Sequence, residues 1–132
     1  RFDVPVANAS GAALPFADQS FDIVCQSVVF SSIVDASMRA AVAGEMLRVL
    51  RPNGLVLWYD AVRVRGRDPH FRPVPIDELR ALFPSVVFDC RRLTTDLGLL
   101  RRVCAISGGW GMRLFDMTGL FKTHVFALGR KP

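Results

Sequence analysis

Ser20-Phe21-Asp22-Ile23-Val24-Cys25 and, further on, Glu45-Met46-Leu47-Arg48-Val49-Leu50-Arg51-Pro52-Asn53-Gly54-Leu55-Val56-Leu57-Trp58-Tyr59 decide how this chain folds. The first run is apolar and β-branched enough for a central strand covered on both faces, after a polar turn at Asp18-Gln19-Ser20. Between the runs, Asp35 is placed to cap a helix over about Ala36 to Leu50, with Met38, Val42, Met46 and Val49 repeating at helical spacing. Pro52 stops that helix, Asn53-Gly54 supplies a turn that tolerates positive φ, and Leu55 to Tyr59 is the next buried strand. Strand, helix, strand in this order predicts a right-handed parallel crossover, so the fold class is α/β.

Outward from this unit the signals are plainer. Arg1 to Val6 reads as a short strand held to an edge by Pro5, and Ala7 to Ala13 as a small, flexible loop. Ala61 to Val74 is a long loop carrying Arg63, Arg65, Arg67, Arg72 and His70. Pro75 opens a short helix that ends before Pro84, with Leu79, Leu82 and Phe83 on its apolar side. Val86 to Cys90 is a strand that Arg91 to Thr95 extends. Leu97 to Leu120 reads as helix, irregular turn and helix around Gly108-Gly109-Trp110-Gly111. Thr123 to Leu128 alternates as a last strand, and Arg130-Lys131-Pro132 reads as an exposed tail.

With 132 residues, 51% hydrophobic and 22% charged, the chain reads as one domain able to bury a core and not as a disordered segment. No apolar run is long enough to span a bilayer, so a soluble protein is expected. Three widely spaced cysteines (Cys25, Cys90, Cys104) fit neither a disulfide framework nor a metal site, which makes a reducing cytoplasm the simplest setting. The net charge of +5 is uneven, because 13 of the 17 basic residues follow position 60. Such a half could meet an anionic surface, a nucleic acid or a phosphorylated substrate, or be a solvated arginine-rich face.

Leu14-Pro15-Phe16, Ser20 to Val24 and Glu45 to Gly54, in this order and spacing, resemble the second half of a class I S-adenosylmethionine (SAM)-dependent methyltransferase. Gln26 to Ile33, Leu57-Trp58-Tyr59-Asp60 and Thr123-His124 to Pro132 are similar to a bacterial subgroup associated with surface polysaccharide loci. The resemblance implies a Rossmann-like methyltransferase sheet whose N-terminal strands and glycine loop are missing, so that residues 1–132 are a partial domain starting near the family's third strand. The cofactor it implies is SAM.

Carried onto these residues, the resemblance places Ser10, Gly11 and Ala12 where the family holds the adenine, with a hydroxyl in place of the usual acid; a Ser-Gly turn that holds no ligand is the equal alternative. Gln26 and Ser27 end a strand facing the cofactor and substrate crevice, because ligands in open α/β sheets sit beyond the carboxyl ends of the strands. Gln26 could equally satisfy buried backbone groups. Tyr59 and Asp60 end the next strand, where a phenol or an acid can orient or deprotonate an acceptor hydroxyl; the other reading of Asp60 is a carboxylate capping a turn. Phe16 is read as packing, His70 as an alternative base and His124 as structural.

The expected function is methyl transfer to a small-molecule or glycan-precursor acceptor, impaired in these residues alone. A non-catalytic binding module and an RNA methyltransferase are the other readings, although no interleaving of aromatic and basic residues suggests base stacking. Loss of the family's first strand also predicts an exposed edge beside Phe21 to Cys25 and self-association through it.

Overall fold

The computed structural model describes residues 5–63, 68–95, 101–102, 105–106, 110 and 122–132. The expected strand at Arg1 to Val6 lies mostly outside them, and Pro5 and Val6 are not in a strand. The expected helices over Leu97 to Leu120 also fall outside, apart from five residues assigned as helical.

The described elements run β1 (Phe21–Ser27), α1 (Ala36–Val49), β2 (Leu50–Ala61), α2 (Ile76–Leu82), β3 (Val87–Thr95) and β4 (Lys122–Arg130), with a 3-10 turn at Phe30–Ser32. The sheet order is β1-β2-β4-β3. β1 and β2 are parallel, as the crossover requires, and β4 is antiparallel to both β2 and β3. This mixed sheet, with helices between its strands, is of the expected α/β class.

Helix α1 starts where expected: the Met38 amide donates to Asp35 Oδ1 at 2.7 Å. Its inner face differs from the apolar repeat, because Met38 is 43% exposed and Arg39 is wholly buried. A buried guanidinium needs acceptors, and Arg39 has three. Nε donates to Ile33 O and one terminal nitrogen to Glu78 Oε1, each at 2.7 Å, and the other terminal nitrogen reaches Arg72 O. Arg72 also donates to both Glu78 oxygens at 3.1 Å. The pair thus ties α1, α2 and the segment before α2 together, a role that hydrophobic periodicity does not reveal.

Strand β2 is longer than expected because it pairs before its turn as well as after it. Phe21 faces Leu50 and Ile23 faces Leu55, so the register shifts across Arg51 to Gly54. Asn53 has φ 62°, the conformation that its short polar side chain tolerates. Gly54 is needed there, since an added Cβ would lie 2.5 Å from Leu50 Cδ1 and 2.9 Å from Arg51 O.

The core lies on one face of the sheet, under α1 and α2. Trp58 and Phe30 rings meet at 4.4 Å, and Phe83 packs edge-on to Trp58 at 5.7 Å. Val56, Val125 and Ala127 complete that face and are fully buried. Gly129 sits beneath Val86 and Phe88, where a new Cβ would fall 2.4 Å and 2.6 Å from their side chains. Gly129→Ala should therefore overpack this corner and lower stability by about 1–3 kcal/mol in urea unfolding.

Two expectations need correction. Strand β1 is not covered on both faces among the described residues, since Asp22, Ile23 and Cys25 are exposed, Ile23 by 53%; its pairing with β2 alone is the open edge expected above. The tail is not free either. Lys131 Nζ donates to Leu47 O at 2.9 Å and Leu50 O at 2.8 Å, so the cation meets the carbonyl end of α1.

Candidate functional site: the carboxyl ends of β1 and β2

Parallel pairing brings Ser27 opposite Tyr59, so both strands end at one crest. The chain leaves β1 through Val28, whose φ of 55° is strained for a β-branched residue. Three groups hold it there. The Val28 amide donates to Tyr59 O at 2.8 Å. Gln26, 6% exposed, donates through Nε2 to the same carbonyl at 3.4 Å and accepts from the Val29 amide at 3.2 Å.

The third holder is Asp60. It is fully buried, with Oδ2 accepting from the amides of Phe30 at 3.0 Å and Ser31 at 3.3 Å, while Oδ1 accepts from its own strand's Ala61 amide at 2.8 Å. The carboxylate thus satisfies the open amides of the 3-10 turn. Beside it, the buried Ser31 hydroxyl has no hydrogen-bond partner among the described residues.

Of the residues read from the sequence as site candidates, Gln26, Ser27, Tyr59 and Asp60 come together at this crest. Gln26 and Asp60 face inward and bond backbone groups. Ser27 is exposed. Tyr59 is half-buried and stacks on His124, with ring centroids 5.3 Å apart. Thr123 Oγ1 lies 2.9 Å from His124 Nδ1. The His70 amide donates to Asp68 Oδ1 at 2.9 Å on an exposed loop.

Ser10, Gly11 and Ala12 form a tight turn of their own. The Ala13 amide donates to Ser10 O at 3.0 Å, and the Ala12 amide to Ser10 Oγ at 3.2 Å. Gly11 is exposed, and its amide has no partner among the described residues. A free backbone donor beside a hydroxyl fits the edge of an adenine ring, whereas Gln26, engaged on both ends, offers less. The residues present therefore fit SAM in part.

The sequence reading missed what holds this turn and the loop after it. Glu45 accepts from the Leu14 amide at 2.7 Å, and Arg48 donates to Leu14 O, Phe16 O and Asp18 Oδ1. Arg48 also forks onto both Glu45 oxygens, at 2.7 and 2.8 Å. The signal was present as an i, i+3 acid and base within the quoted helix. Phe16 packs edge-on to Phe21 at 4.9 Å but is 39% exposed, so it stays outside the core where it was expected.

The Arg48 guanidinium, then the Leu14 amide, holds the Glu45 carboxyl down to about 2 from an ordinary 4.5. The unfolded chain binds that proton more readily, so the stabilisation is complete above about pH 4.5 and is lost as pH falls toward 2. Amide exchange at Leu14 should accelerate over that window, relative to exchange in β2. Glu45→Gln should flatten the response and leave fast exchange at neutral pH.

Comparisons with known proteins bear on the domain and the fold. Residues 2–58 match the family model described as "Methyltransferase domain". An uncharacterized protein of Haemophilus influenzae is 40% identical over 65 residues, covering 49% of this chain and 25% of that protein. A SAM-dependent methyltransferase structure from Thermotoga maritima superposes with a TM-score of 0.69 at 16% identity, over 98% of this chain and 65% of that one. A second, from Methanosarcina mazei, gives 0.62 at 16%, over 93% and 65%. The [4+2]-cyclase SpnF gives 0.63 at 16%, over 96% and 55%. The chain thus spans a quarter of the curated relative's length and 55–65% of these solved chains. It carries methyltransferase-domain sequence over residues 2–58, on the Rossmann-like fold shared with SAM-dependent methyltransferases.

Proposed function

We propose that this chain belongs to an enzyme that transfers the methyl group of SAM to a small-molecule or glycan-precursor acceptor in the cytoplasm. The crest where Ser27 and Tyr59 meet supports this reading most, since it stands at the carboxyl ends of parallel strands, where open α/β sheets take their ligands. SAM supplies an activated methyl group on a sulfonium, and transfer from it depends mainly on in-line positioning of the acceptor. Ser10 and the Gly11 amide are assigned to the adenine edge, and Ser27 to the crevice. Tyr59 faces the acceptor, whereas Asp60 acts at one remove, by positioning the turn after β1.

No described helix is long and apolar enough to cross a membrane. The domain match does not favour the binding-module or RNA-methyltransferase readings. The open edge of β1, with Ile23 and Cys25 exposed, is the surface assigned to self-association.

Calorimetric titration of S-adenosylhomocysteine into this chain, beside the same chain extended upstream, tests the assignment. Binding by the extended form alone, or by both with the extended form tighter, is the expected result. Binding by neither overturns it. Light scattering of the 132 residues should show dimers or larger species; a monodisperse monomer would overturn the self-association.

A further inference from the structure

On the helix side of the sheet, a cleft of about 340 Å³ opens between the end of β2, the start of α2 and β3. Val62 and Ile76 contribute apolar surface, and Arg63, Arg80, Arg92 and Asp77 the charge. Among the described residues, the side chains of Arg63 and Arg92 have neither a hydrogen bond nor an ion pair. Arg80 meets Asp77 only at 3.8 Å, and the two side chains are 63% and 97% exposed. Three arginines therefore line the cleft, with one loosely paired carboxylate among the described residues.

Register places the cleft near the crest. Ala61 and Leu93 both face His124 across β4, which sets Arg92 level with Asp60, two and three residues short of Val62 and Arg63, near the carboxyl end of the sheet. With strands about 4.8 Å apart, the cleft lies roughly 10–15 Å along the crest from Ser27, within the span of a small molecule. The volume also suits a small ligand. None of the described residues that line the cleft is aromatic, so they offer no stacking platform of the kind a nucleobase would use. Guanidinium forks instead match the oxygens of phosphate or carboxylate, and a local excess of positive charge favours them.

We infer that Arg63, Arg80 and Arg92 form an oxyanion subsite, which takes the phosphate or carboxylate of a small molecule through the guanidinium groups and its apolar part against Val62 and Ile76. That this molecule is the methyl acceptor rests on the proposed function; the anion site itself does not.

The test follows the arginine Nε–H resonances by NMR while sodium phosphate or, in a second arm, sodium acetate is added at constant ionic strength. Saturating shifts confined to Arg63, Arg80 and Arg92 are expected, and the Arg63→Gln/Arg92→Gln double variant should weaken binding about tenfold or more. Tighter phosphate than acetate binding assigns a phosphorylated ligand, and the reverse order a carboxylate. Equal, unsaturated shifts at the exposed Arg51, Arg91 and Arg130 would overturn the subsite. Displacement of phosphate by a single-stranded RNA oligonucleotide, with a steep loss on adding salt, would overturn the small-molecule assignment. S-adenosylhomocysteine plays no part in this titration, so either reading can fail while the other stands.

Discussion

Asp60→Ala should lower stability by about 4 kcal/mol, enough to move Tm by roughly 10–15 °C. The substitution leaves the amides of Phe30, Ser31 and Ala61 buried without their acceptor, next to a Ser31 hydroxyl that already has no partner among the described residues. Asp60→Asn keeps the shape and one acceptor oxygen but points an NH2 at backbone donors, so it should recover only part of the loss. In the upstream-extended chain, methyl transfer should fall together with the order of the Val28 to Ser32 turn, read from amide exchange. Full stability with abolished transfer would instead make Asp60 a base in the reaction and sink the positioning role.

Arg39→Met should cost about 3 kcal/mol in urea unfolding, the lower end for breaking a buried pair. The lower end applies because Glu78 keeps Arg72 as a partner, at 3.1 Å from both oxygens. What the variant strands is the pair of carbonyls at Ile33 and Arg72, which lose their buried donor. Glu78→Gln should cost at least as much, about 3–5 kcal/mol, because it leaves the buried Arg39 guanidinium without its counter-charge and points an NH2 at the Arg72 donor. The double variant should cost less than the two single losses added together, since the two side chains share one network. A stability of Arg39→Met within 1 kcal/mol of the parent would show that the buried guanidinium does not hold α1 to α2.

The strand, helix and strand of the first unit were legible because their signals are local. Alternation of apolar residues, Asp35 three residues before an amide it can cap, and Pro52-Asn53-Gly54 each act within a few residues. The parallel crossover followed from them. The candidate site was legible only as a location: Gln26, Ser27, Tyr59 and Asp60 end adjacent strands, and the structure does bring them to one crest. Their roles were not legible, because a carboxylate at a strand end reads the same whether it faces solvent or three buried amides.

By itself, the sequence determined the α/β class, the caps and turns, and the likeness to a methyltransferase domain that residues 2–58 match; its likeness to a surface-polysaccharide subgroup has no such support. These depend on neighbouring residues and on the order of motifs along the chain. Only the tertiary structure decided that Arg39 belongs inside, that Asp60 and Gln26 hold the turn after β1, and that Lys131 closes α1. It also decided that Glu45 and Arg48 fix the loop from Leu14 to Asp18, and that Arg63, Arg80 and Arg92 share a cleft. Each of these pairs groups about 30 or more residues apart or on different elements. A charged side chain is stable at such a place only when folding delivers its partner, and no local periodicity encodes that partner.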